Sequence, residues 1–129
     1  MSDTPSVRVA AVQAAASPFD KAGAVETVCS MTAEAAAEGA RLVLFPEAYV
    51  GGYPWGLAFG TAVGGRSDAG RRVFGRYWES AIDVPGPEVE RMGQAAADAG
   101  VWLCWPVQVT STIASSPIQA NASSAECPW

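Results

Sequence analysis

Glu47 lies in the stretch FPEAYVGGYPWG, residues 45 to 56, just after an apolar run and ahead of a loop built from glycine, proline and aromatic residues. A positioned carboxylate of this kind can take a proton from a reacting group and return it. Pro46 stiffens the chain before it, and Gly51 and Gly52 permit a tight or close-packed turn. Tyr49, Tyr53 and Trp55 are placed to wall off water, and a carboxylate shielded from water holds a proton more readily. The expectation is that Glu47 acts as a general base, with Tyr53 and Trp55 as substrate-pocket residues. A second reading stays open on position alone, because glutamates past a strand also cap helices or join ion pairs, and loop aromatics also plug the edge of a core.

Few other residues offer chemistry. There is no histidine, and the three cysteines, Cys29, Cys104 and Cys127, are widely spaced with no CxxC pair. Structural zinc and a disulfide framework are therefore not expected. Lys21 is the only lysine and falls at the start of a helical pattern, where a solvated surface role is expected. Eight basic against thirteen acidic side chains give a net charge of −5, and with no basic stripe this argues against nucleic acid or an anionic membrane as partner. The N-terminus lacks a basic segment followed by an apolar run, and nowhere do 18 uninterrupted apolar residues occur, so a cytoplasmic protein is expected.

The elements that must hold Glu47 follow from periodicity. VRVAAVQ, residues 7 to 13, is a short valine-rich run that suits a strand covered on both faces. Ser17, Pro18 and Asp20 form an S-x-x-D start signal, after which Val25, Val28, Cys29, Thr32 and Ala36 recur at helical spacing until Gly39. Cys29 thus reads as core. RLVLF, residues 41 to 45, is a second buried strand, and strand, helix, strand within so short a span marks a parallel βαβ unit. Phe74, Tyr77, Trp78, Ala81 and Ile82 mark one face of a further helix. Pro87, Glu88 and Glu90 open another that Gly100 closes, and VWLCW, residues 101 to 105, is the third strand. The fold class is α/β, in the order strand-helix-strand-helix-helix-strand. After Trp105 the chain is uncharged up to Ala125 and rich in Ser, Thr, Ala and Pro. The expected division is a domain portion, 1–105, and an aberrant, disordered tail, 106–129. No G-x-G-x-x-G follows a strand and no phosphate-binding G-x-x-x-x-G-K-[ST] occurs, so the βαβ pattern alone gives little support to a nucleotide-binding module.

Three segments, VRVAAVQAAASPFD, LVLFPEAYVGGYPWG and GRRVFGRYWESAIDVPGPEVERM, resemble the opening third of the nitrilase branch of the carbon–nitrogen hydrolase superfamily. The resemblance runs from about Val7 to Leu103. It implies part of a four-layer α-β-β-α sandwich and a catalytic set of glutamate, lysine and cysteine without metal or organic cofactor. Carried over to this chain, it makes Glu47 the general base. In that scheme the thiol passes its proton to the glutamate and attacks the nitrile carbon. The thioimidate formed is converted by water to an acyl-enzyme and then to carboxylic acid and ammonia, while the lysine stabilises developing charge.

The family's lysine and cysteine lie beyond the point where the resemblance stops. Cys104, in LCWP, is a weak nucleophile candidate. It falls within a strand, with no helix start after it to lower its pKa and no lysine at hand, so it reads as a buried small hydrophobe. Cys127 carries still less. The chain is therefore expected to be inactive alone, as a truncation or frameshift product of a nitrile hydrolase. Cyanide hydratase or amidase chemistry and a non-catalytic interaction subunit are the alternatives. The expected partners are a small-molecule nitrile and full-length relatives docking on an exposed sheet edge.

Overall fold

Short runs of valine and leucine pair into a sheet only if flanking helices cover them, and the chain supplies those helices between its strands. The computed structural model describes residues 5–52, 61–62 and 65–106. In chain order the elements are β1 (Val9–Ala11), α1 (Lys21–Ala37), β2 (Leu42–Leu44), β3 (Thr61–Ala62), β4 (Gly65–Arg66), α2 (Asp68–Glu79), α3 (Pro87–Ala99) and β5 (Trp102–Cys104). The order read from the sequence is present, with a short antiparallel β3–β4 pair added between β2 and α2. The main sheet is parallel, in the order β1-β2-β5. Val9, Leu42 and Trp102 are in register across it, followed by Ala10, Val43 and Leu103 and then by Ala11, Leu44 and Cys104.

Right-handed crossovers in a strand order that keeps advancing place α1 and α3 on the same face of the sheet, where they pack side by side. Ala24, Val25, Val28 and Thr32 of α1 and Met92 and Ala96 of α3 are buried there with Val43 and Phe45. Cys29 packs at the margin of this cluster, as the helical spacing predicts. Arg91 of α3 is paired with Glu26 of α1. Lys21 keeps access to water, in line with the surface role expected, and is also paired. Its ammonium lies 3.1 Å from Glu88 and donates to the Ala81 carbonyl at 3.3 Å, tying the start of α1 to the start of α3.

Two boundaries differ from the periodicity. The S-x-x-D segment is a turn ahead of α1 and not its first turn: Asp20 N–H donates to the Ser17 carbonyl at 3.2 Å, and the Asp20 side chain caps α1 by accepting from Gly23 N–H at 2.9 Å. The cause is Phe19, whose φ of +68° cannot be continued into a right-handed helix. The aromatic face expected on α2 is only partly used. The helix stops at Glu79, Ile82 beyond it is fully buried, and Phe74 and Trp78 remain half exposed with ring centroids 6.4 Å apart. Among the described residues no helix is long and apolar enough to cross a membrane.

The ranking of these contacts is testable by urea denaturation. Met92 is fully enclosed, so Met92→Ala should cost about 2–5 kcal/mol through lost transfer energy and the cavity left behind. The Lys21–Glu88 pair retains access to water, and Lys21→Met should cost less than about 1 kcal/mol.

Candidate active site

In a parallel α/β sheet the loops that leave the carboxyl ends of the strands converge, and ligands gather there. β2, the central strand, ends at Leu44, and Phe45 and Pro46 lead into a turn over residues 47–51. Glu47 is the first residue of that turn. Its side chain is exposed, whereas Phe45, Ala48, Tyr49 and Val50 around it are all buried. Water therefore reaches the carboxylate on the described part of the molecule. Tyr49, expected to help shield it, belongs instead to the core: its ring packs on Phe45 at 5.2 Å and its hydroxyl donates to the Ala15 carbonyl at 3.4 Å. Tyr53 and Trp55 lie outside the described residues, as do Cys127 and the segment 107–129.

The turn is held from two sides. Phe19 N–H donates to the Gly51 carbonyl at 2.8 Å and Gly52 N–H donates to the Tyr49 carbonyl at 3.2 Å. Gly51 and Gly52 have φ of +90° and +69°, in the region that favours glycine. They are also crowded. A Cβ at Gly51 would lie 2.8 Å from the Ser80 carbonyl oxygen, and one at Gly52 would lie 2.9 Å from the Pro18 Cα. The glycine pair is thus wedged between the segment before α1 and the end of α2. Ser80 and Phe19 are positioning residues that periodicity did not identify; the only signal for them was the paired glycine itself.

Phe19 and Ser80 also help to line a cavity of about 390 Å³, together with Asp20, Lys21, Arg76 and Glu79. The Arg76 guanidinium stacks over the Phe19 ring at 4.5 Å. Glu47 is not among the residues lining this cavity, so the cavity neighbours the turn without containing its carboxylate.

The two described cysteines differ from each other. Burial pushes the Cys29 thiol up, with the Arg91 guanidinium acting in the opposite direction. Cys104 was expected to be buried and is exposed. The reason is its register: it stands across from Leu44 on the sheet face that α1 and α3 do not cover. Its carbonyl accepts from Phe45 N–H at 2.9 Å, which puts it at the same sheet edge as Glu47, yet no hydrogen bond joins the thiol to the carboxylate among the described residues.

Gly51→Ala should cost about 1–3 kcal/mol through strain at positive φ and the clash with Ser80. Gly75→Ala, in α2 with open space around it, should stabilise by about 0.5–1 kcal/mol; urea midpoints measure both. Maleimide labelling of the folded chain at neutral pH should be faster at Cys104 than at Cys29, and the Cys29 rate should climb as pH rises toward its raised pKa, because the thiolate is the reactive form.

Comparison with known proteins identifies the family. The carbon–nitrogen hydrolase family model matches residues 8–115. The chain is 46% identical over 102 residues to a bifunctional nitrilase/nitrile hydratase of Nicotiana tabacum, a match covering 79% of this chain and 29% of that protein. It is 46% identical over 95 residues to a nitrilase of Bradyrhizobium diazoefficiens, covering 74% of this chain and 30% of that one. With nitrilase 3 of Arabidopsis thaliana the identity is 47% over 97 residues, covering 75% and 28%. The matched part thus spans less than a third of each relative's length. On these matches, and with an α/β fold to suit them, the chain belongs to the carbon–nitrogen hydrolase family.

Proposed function

We propose that this chain carries the general base, Glu47, of a nitrile-hydrolysing site whose other members it does not supply among residues 1–105. The observation that carries the reading is the placement of Glu47 on a clamped turn at the carboxyl end of the central parallel strand. In the reaction, Glu47 would receive the proton of an attacking thiol as a thioimidate forms on the nitrile carbon. Water would then release ammonia and, in a second addition, the acid. Lys21 is committed to Glu88 and Ala81, which removes it as the electrostatic partner. Cys104 stays a weak nucleophile candidate, since being exposed gives it access but no base within hydrogen-bonding contact. Tyr53 and Trp55 fit the role of substrate-pocket walls.

On this reading the chain is cytoplasmic and its residues 1–105 belong to the N-terminal part of a hydrolase domain. Chemistry of the cyanide hydratase or amidase type would use the same glutamate. Among the described residues β1 and β5 are the edges of the three-stranded sheet, which favours a second role, as a non-catalytic subunit that adds to full-length relatives by strand pairing.

Purified chain incubated with an aliphatic or an aromatic nitrile should release no ammonia above the buffer blank, since removing one member of a concerted catalytic set already eliminates most of its rate enhancement. Ammonia release that persists unchanged in Glu47→Gln would overturn the assignment of the base. Failure to co-elute with a full-length relative on size exclusion would count against the subunit role.

A further inference from the structure

Among the described residues a left-handed backbone occurs at Phe19, Gly39, Ala48, Gly51, Gly52 and Gly100. Gly39 and Gly100 follow the ends of α1 and α3, where this conformation is an ordinary way for a helix to stop. The others meet at one place. Ala48, at φ +54°, is the residue after Glu47, and Gly51 and Gly52 close the same turn. Phe19, at φ +68°, donates its N–H to the Gly51 carbonyl.

A Cβ makes the left-handed region unfavourable, and a residue that carries one stays there only when its surroundings hold it. Ala48 and Phe19 are the non-glycine residues in that state, and both are held. Ala48 is 5% exposed, in a buried run with Tyr49 and Val50. The Phe19 ring lies under the Arg76 guanidinium. Glu47 is exposed and the next residue is buried, so the chain turns inward in a single step at Ala48. Glycine would make the same bend without strain, but would also reach many other conformations.

We propose that Ala48, together with Phe19, is a positioning residue whose left-handed backbone keeps the Glu47 turn in one conformation at a cost in stability. Its purpose rests on the reading of Glu47 as the base, which the Glu47→Gln assay decides separately. The measurements that follow read geometry and motion, and decide the positioning whatever that assay finds.

Ala40 is the control, since it is 3% exposed, lies outside helices and strands and is not left-handed. In urea denaturation of the 129-residue chain, Ala40→Gly should lower the midpoint. Ala48→Gly should leave it unchanged or raise it, because relief at positive φ offsets the lost methyl. Equal losses at the two positions overturn the proposal. Phe19→Gly should be more stable than Phe19→Ala, both having lost the ring, and the reverse order also overturns it. Relaxation dispersion at backbone ¹⁵N supplies the readout that strain alone would not move. The amides of Glu47, Tyr49 and Val50 should show no millisecond exchange in the parent chain and clear exchange in Ala48→Gly and Phe19→Gly, while Val28 and Met92 stay quiet. Flat profiles at the turn in both variants, exchange already present in the parent chain, or exchange that spreads to Val28 and Met92 would each refute the positioning role.

Discussion

Burial of Val43 beneath α1 and α3 is the contact on which the rest of the molecule depends. β2 is only three residues long, and a strand so short gains too little from backbone pairing to stay in place by itself. It holds because Val43 is fully enclosed among Val25 and Val28 of α1 and Met92 of α3, with β1 and β5 paired on either side. Apolar burial of this kind is worth about 1.5–3 kcal/mol per large side chain. The ion pairs of Lys21 with Glu88 and Arg91 with Glu26 keep access to water and contribute at most about 1 kcal/mol each. Packing therefore sets where β2 ends, and the end of β2 sets where Glu47 begins.

From that strand end, position is passed on through backbone. Phe45, Ala48, Tyr49 and Val50 are buried, and the Gly51 carbonyl is bonded to Phe19 N–H. A carboxylate on such a turn is located by the main chain, while its own side chain remains in water. This fixes where the carboxylate stands without fixing what it does. Among the described residues Glu47 stands exposed.

Much of the scaffold was legible in the sequence, because apolar periodicity and helix-stop glycines report local structure. α1, α3 and the three parallel strands lie where Val25, Val28, RLVLF, Gly39, Gly100 and VWLCW place them. The failures share a cause: each depended on what a neighbouring layer does. Periodicity puts Phe74 and Trp78 on an apolar face, but whether that face is covered depends on other elements, and here it is half open. Cys104 looked buried because strand apolarity suggests two covered faces, while the register puts it on the uncovered one. The partners of Lys21, Glu88 and the Ala81 carbonyl, could not be read locally, since they are about sixty residues away along the chain. Phe19 carries no sequence sign of its left-handed backbone, and that backbone shifts the start of α1.

The uncovered sheet face and the candidate base are parts of one problem. Leaving Val9, Leu44 and Trp102 half in water forgoes about 1 kcal/mol each, so about 3 kcal/mol in all, from a fold of a class whose net stability is about 5–15 kcal/mol. The same strands meet at the carboxyl edge, where Phe45 N–H is bonded to the Cys104 carbonyl two residues before Glu47. Whatever covers Leu44 and Trp102 therefore also restrains β2 and β5 against each other just below the turn. Stability gained on that face is gained by the strand end that carries the carboxylate. Covering that face and holding the turn of Glu47 in place are coupled through the paired ends of β2 and β5.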